Sequence, residues 1–198
     1  MSWQSIEDFE TEVSNYFGAS YGIAVDSCTH GIELCLRMYG DSLDSIEVPK
    51  RTYVSIPMLA NKMNIDLIWK DENWEEYYEI GDTGIYDAAV LWRENSYIPK
   101  TRMCLSFQFQ KHLSLGRGGM ILCDNKITYR ELKRMSYDGR LPGVPWRDQN
   151  INMFGYHYYM TPETAQLGLD KLEEAKNTEP RKWVVEDWPD LTKMEIFK

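Results

Sequence analysis

Ser106-Phe107-Gln108-Phe109-Gln110-Lys111-His112-Leu113-Ser114-Leu115-Gly116-Arg117-Gly118-Gly119-Met120 joins two apolar runs, residues 102–107 and 120–123, that read as strands. A lysine between apolar strands, followed by three glycines in four residues, is an unusual construction. Glycines there let the backbone turn sharply or approach a ligand. A lysine kept from water in such a place has a lowered pKa and becomes a nucleophile able to form a Schiff base. A solvent-facing lysine beside a glycine turn is the bland reading of the same residues.

Outward from this stretch, helix and strand patterns alternate. Residues 4–17 carry Ile6, Phe9, Val13 and Phe17 near helical spacing, and Gly18 can stop that helix. Residues 21–25 form a short buried strand that runs into Asp26-Ser27-Cys28-Thr29, with a helix over 30–39 ended by Gly40. Strands at 46–48 and 65–69 flank a helix at 53–63, whose Pro57 falls in the first turn. The acidic, aromatic stretch 71–79 reads as a loop or a short helix, and 84–90 as a strand end carrying Asp87. Further helices are expected at 127–135 and 162–176, and a loop over the Gly-, Pro- and Asn-rich residues 138–155. The pattern predicts an α/β fold: an open, mostly parallel sheet with helices on both faces. One domain over 1–178 would be followed by a C-terminal tail over 179–198 that packs in extended form or stays mobile.

Composition narrows the function. The 198 residues hold 31 Asp and Glu against 22 Lys and Arg, a formal charge of −9, which argues against a nucleic-acid partner. Hydrophobic residues at 43% and charged residues at 27% exclude a disordered chain. No apolar run reaches the roughly 18 residues of a membrane span, and the acidic start MSWQSIEDFE is no secretory signal. Cys28, Cys35, Cys104 and Cys123 form no C-x-x-C pair, and His30, His112 and His157 have no metal-type spacing. Reduced thiols in a cytoplasmic protein without a metal site follow as the expectation.

Ligands of such sheets bind at the carboxyl ends of the strands, which directs attention to 26–29, Asp87 and 106–119. The Ser27-Cys28-Thr29 junction opens a helix and offers free N–H groups to an anion, though every N-cap looks like this. Asp87 is either a helix cap or a partner for a cation or ring nitrogen.

In this order the residues resemble the DegT/StrS family of sugar aminotransferases, pyridoxal-phosphate enzymes of the aspartate-aminotransferase fold. The similarity runs over roughly 5–177. It includes Phe9, Tyr16-Phe17-Gly18, Tyr21 to Val25, Ser27-Cys28-Thr29, Val48-Pro49, Thr52-Tyr53-Val54 and Asp87-Ala88-Ala89. Ser106-Phe107 with Lys111, Leu113, Gly116 and Gly118-Gly119 is similar to the family's S-F-x-x-x-K-x-L…G-x-G-G, and Tyr137 to Arg140 and Gly155 to Met160 to later signatures.

The resemblance implies that Lys111 forms the internal aldimine with pyridoxal phosphate and then moves protons between substrate and cofactor. It implies that Asp87 keeps the pyridine nitrogen protonated, that Tyr53 stacks on the ring, and that Cys28, Thr29 and Ser106 hold the phosphate. His157 would reach the phosphate of the neighbouring subunit, making a homodimer with a shared site. The implied reaction transfers an amino group from glutamate to a keto sugar nucleotide. The chain departs from the family pattern too. Only 58 positions separate Thr29 from Asp87, too few for all the family's intervening elements. Val90 stands where Gln or His is usual, Cys28 replaces a glycine, Arg117 replaces a small or acidic residue, and the C-terminal small domain is missing from the match. A catalytically degenerate relative that binds the cofactor or serves assembly is therefore the alternative, and a plain α/β domain the third reading.

Overall fold

Why the chain folds as it does starts with apolar spacing. A computed structural model describes residues 2–198. In chain order the elements are α1 (Trp3–Phe17), β1 (Tyr21–Val25), α2 (Cys28–Arg37), β2 (Ser45–Pro49), α3 (Ser55–Met63), β3 (Asp66–Lys70), β4 (Tyr78–Glu79), β5 (Ile85–Asp87), β6 (Arg102–Ser106), β7 (Gly119–Cys123), α4 (Lys126–Met135) and α5 (Pro162–Lys176). Ile6, Phe9, Val13 and Phe17 line one face of α1 and are fully buried. Gly18, at φ +78°, ends that helix in the left-handed conformation, and its N–H donates to Asn15 O. Helix α2 starts at Cys28, earlier than its apolar period suggests, because the Ser27 hydroxyl accepts from the His30 N–H at 3.2 Å.

Five strands form the main sheet in the order β1-β7-β6-β5-β4, and β2 and β3 form a separate parallel pair. The sheet is mixed. Parallel pairing is confined to β5–β6 and β2–β3, while β1–β7, β6–β7 and β4–β5 are antiparallel. Connection length explains this. Residues 107–118 fold back as a wide hairpin, with Phe107 N–H donating to Gly118 O and Phe109 N–H to Gly116 O, and so force β7 antiparallel to β6. Residues 88–101 are long enough to cross over and start β6 parallel to β5. The ambiguous stretch 71–79 is irregular up to Tyr77, then enters the two-residue strand β4.

Helices cover both faces of the sheet. On one side α1 and α5 bury Phe9, Leu172 and Ala165 against Met103, Leu105 and Phe107. On the other, α2 and α4 bury Ile32, Cys35 and Leu132 against Val25, Cys104 and Ile121, and the β2–β3 pair with α3 continues this layer. Each such Leu, Ile or Phe side chain contributes about 1.5–3 kcal/mol on burial. One charged pair lies inside the packing. Glu10 of α1, 4% exposed, accepts the Ala24 N–H at 2.7 Å and the Lys133 ammonium of α4 at 2.6 Å. Burial pushes the Glu10 carboxyl up, and Lys133 only partly offsets this.

Residues 179–198 form three single turns, Val185–Asp187, Leu191–Lys193 and Glu195–Phe197. They lie against the segment that leaves β2: Leu191 N–H donates to Lys50 O at 2.9 Å, and the Arg51 guanidinium donates to Trp188 O at 2.6 Å. Leu191 is 1% exposed.

Candidate active site

The carboxyl ends of β5 and β6, the start of α2 and the segment after β2 surround a cavity of about 500 Å³. Ser27, Cys28, Thr29, Tyr53, Asp87, Ser106 and Lys111 all line it. Residues separated by up to 84 positions are thus brought to one place, as the topology of the sheet requires.

Asp87 closes the floor. It ends β5 beside buried Ala88 and is itself 5% exposed. One carboxylate oxygen accepts the Ala89 N–H at 3.0 Å, and the other accepts the Tyr78 hydroxyl at 3.0 Å. Tyr78 in turn lies 2.6 Å from the Thr52 hydroxyl, which is buried. Register makes this relay: β4 pairs Tyr78 directly with Asp87. Burial pushes the Asp87 carboxyl up, and the Ala89 N–H, the Tyr78 hydroxyl and the charge on Lys111 pull it partly back. The Cys28 thiol donates to Cys104 O at 3.3 Å and lies 4.0 Å from Asp87, and its pKa is driven well up by burial first and by Asp87 second.

Lys111 stands in the loop between β6 and β7. Its N–H donates to Gln108 O at 2.8 Å, and the loop is pinned by buried Phe107 and Leu113 and by His112, 2.8 Å from Ala175 O. Burial lowers the Lys111 pKa; Asp87 and Cys28 oppose that, and Arg181 adds to it. Lys111 is half-buried at the cavity wall, which is the setting that a reactive amine requires.

The α2 terminus approaches β7 closely. A Cβ on Gly119 would lie 2.5 Å from Cys28 N and 2.6 Å from Ser27 C, so only glycine fits there. First-turn N–H groups of a helix have no intrahelical acceptor, and those of Cys28 and Thr29 begin α2 at the cavity wall. The Thr29 hydroxyl is 2.7 Å from that of Ser55, and the Ser106 hydroxyl accepts the Gln108 N–H at 3.4 Å. Tyr53, 55% exposed, stands at the mouth.

Pyridoxal phosphate fits this set of residues. A helix start with hydroxyls suits its phosphate, a buried carboxylate its ring nitrogen, and a desolvated amine its aldehyde, within a cavity of about 500 Å³. His157 is not brought to this cavity. It sits on an isolated bridge to Tyr137, with Nδ1 3.1 Å from Asp138 and the side chain 69% exposed. Arg117 lines the cavity and donates to Asp26 at 2.9 Å, and Asp26 also meets His30 at 2.6 Å.

Several site residues escape sequence reading. Tyr78 and Thr52 support Asp87, but the register that joins them lies in a two-residue strand. Trp183 and Trp188 reach the cavity from the 179–198 segment, where no period marks them. The Trp183 ring lies over Lys111, with Nζ 4.7 Å from its centroid.

Over 144 residues the chain is 28% identical to the dTDP-3-amino-3,4,6-trideoxy-alpha-D-glucose transaminase of Micromonospora megalomicea subsp. nigra, covering 71% of this chain and 37% of that protein. The structure of AtS13 from Actinomadura melliaura superposes with a TM-score of 0.72 at 17% identity, over 86% of this chain and 60% of that one. The sugar aminotransferase CalS13 from Micromonospora echinospora gives 0.69 at 14% identity, over 86% and 60%. The fold is therefore that of the large domain of these aminotransferases, and the chain spans between about a third and three fifths of their lengths. A sequence profile of the DegT/DnrJ/EryC1/StrS aminotransferases, a family of pyridoxal-phosphate enzymes, matches residues 1–77 and 100–186. With most of its length matched, the chain belongs to the DegT/DnrJ/EryC1/StrS aminotransferase family.

Proposed function

We propose that this chain carries pyridoxal phosphate on Lys111 and takes part in transamination of a keto sugar attached to a nucleotide, with glutamate as the amino donor. The observation that carries the reading is the meeting, on one cavity, of a desolvated amine at Lys111, a buried carboxylate at Asp87 and the open start of α2. The relative from Micromonospora, named for a dTDP-linked amino sugar, supports the nucleotide sugar as substrate class.

Bound pyridoxal phosphate would supply an aldehyde and an electron-withdrawing ring. The chain's own residues do the rest. Lys111 Nζ, whose pKa burial lowers, would be the group that holds the cofactor's aldehyde carbon and that would hold and move a proton beside it. Asp87, fixed by Tyr78 and Ala89, presents a charge acceptor to a ring N–H and would lose its raised pKa on meeting it. The N–H groups of Cys28 and Thr29 with the Ser106 hydroxyl bind the phosphate, and Tyr53 covers the ring face.

A homodimer with a shared site belongs to this proposal. His157 would serve a second copy, and the neighbouring loop exposes Leu141, Trp146 and Phe154, the last at 94%, a surface suited to burial by a partner. Among the described residues no helix is long and apolar enough to cross a membrane.

The test is a half-reaction. Protein loaded with pyridoxal phosphate and mixed with glutamate should form one equivalent of 2-oxoglutarate, with the bound cofactor converted to its amine form. A loaded protein that leaves glutamate unchanged, with every other amino acid tried, would favour the degenerate relative instead. Val90 at the cavity wall and Trp183 over Lys111 are the observations that favour this second reading.

A further inference from the structure

The cavity has a wall that begins just before the end of the family match, residue 186, and runs past it. Residues 181–194 pass across it, and Trp183, Trp188, Leu191 and Met194 line it. The wall is anchored rather than draped. Trp188 is 8% exposed, its carbonyl accepts from Arg51, and its ring packs 4.7 Å from that of Trp74, whose Nε1 donates to Arg51 O at 2.7 Å. Trp183 packs on Trp188 with centroids 5.2 Å apart and carries two cations on its ring, Lys111 Nζ at 4.7 Å and the Arg181 guanidinium at 4.0 Å. Arg181 is itself held by Asp187 at 2.9 Å.

We propose that residues 181–194 are a built-in wall of the Lys111 site, and that Trp183 is a positioning residue that aims the Lys111 amine and shields it from water. The inference deepens the reading of Lys111 as the reactive amine, and it rests on that reading for its consequence only. An indole face attracts an ammonium by its quadrupole, more strongly when water is excluded. A long, flexible lysine on a loop otherwise samples many rotamers. The face of Trp183 narrows that set, while its bulk denies solvent access from the side of the strap. The other titratable or charged groups around the amine come from other elements: Cys28 from α2, Tyr53 after β2, Asp87 from β5, Arg117 from the glycine loop, and Asp187 with Arg181 from the strap. Of these only Arg181 also touches the Trp183 ring, and its Asp187 partner holds it from the other side.

The test follows Lys111 in cofactor-free, full-length protein by reductive methylation with formaldehyde and cyanoborohydride. Its rate is read by peptide mass spectrometry across pH and referred to exposed Lys126. Trp183→Ala should raise the plateau rate of Lys111 at high pH about five-fold, the size of change that one such contact sustains. Trp183→Leu keeps apolar bulk but loses the ring face, so the midpoint of its pH profile should fall by about half a unit, while Trp183→Phe should keep it near the wild-type value. Arg51→Met, which frees the strap at a distance, should raise the plateau as Trp183→Ala does. An unchanged plateau in both Trp183→Ala and Arg51→Met overturns the wall. An unchanged midpoint in Trp183→Leu overturns the positioning role and leaves Trp183 as apolar cover. Pyridoxal phosphate enters neither readout, so a failure here is distinct from a failure of the proposed function.

Discussion

Lys133 and Lys111 both face buried carboxylates, Glu10 and Asp87, and their surroundings differ. Lys133 closes on Glu10 at 2.6 Å between α1 and α4, and Glu10 spends its remaining capacity on the Ala24 N–H. Lys111 acts on Asp87 through space, without a direct hydrogen bond, across a cavity of about 500 Å³. The first pair is sealed and satisfied, so its charges do nothing but hold two helices in register. In the second, the carboxylate is held by Tyr78 and Ala89 and the amine by an aromatic ring, so both remain available to a ligand. A buried acid–base pair is therefore structural when it closes and a candidate site when the fold keeps it apart.

Substitutions should break the two pairs in opposite senses. Lys133→Met leaves Glu10 buried without its cation and should cost about 3–5 kcal/mol in denaturant unfolding, with the double substitution Glu10→Met/Lys133→Met recovering much of it. Gly119→Ala pushes a Cβ into the backbone of Ser27 and Cys28, so the start of α2 must shift; a loss of about 1–3 kcal/mol and of phosphate affinity is expected, measured by unfolding and by pyridoxal-phosphate titration.

Asp87→Asn should go the other way in the cofactor-free protein. The folded-state pKa of Asp87 is raised, so the native state binds more protons than the unfolded state above pH 3.8, and wild-type stability falls as pH rises from 3.8 through the raised value. The amide removes that fall. At pH 7 its Tm should lie above that of wild type, read by thermal unfolding, while the loaded protein loses its cofactor more easily. Lys111→Met is expected to have the smallest effect on stability, in the stabilising direction at pH 7, because its charged form is disfavoured in the fold. If Lys111→Met instead destabilised as Lys133→Met does, the contrast between the two pairs would be lost.

Much of this architecture is legible in the amino-acid sequence. The helix α1 declares itself by Ile6, Phe9, Val13 and Phe17, and the Lys111 loop by a cation and glycines between apolar strands, because both signals are local. Pairing direction is less legible: the antiparallel return of β7 follows from the way 107–118 folds back, which apolar periodicity does not encode, and the sheet is accordingly less parallel than the alternation of elements suggests. The partners of Asp87 are illegible, since Tyr78 reaches it only through the register of a two-residue strand. Trp183 is illegible for a similar reason. Its place is fixed by Arg51, Trp74 and Trp188, contacts far apart in sequence that no period announces.

The central claim concerns one amine, and a single labelling measurement addresses it. The protein is mixed with pyridoxal phosphate near one equivalent, reduced with borohydride, digested, and its lysine peptides are weighed. The account predicts a phosphopyridoxyl group on the Lys111 peptide, with Lys133 and the exposed lysines unmodified. Label spread over exposed lysines with the Lys111 peptide unmodified would contradict it.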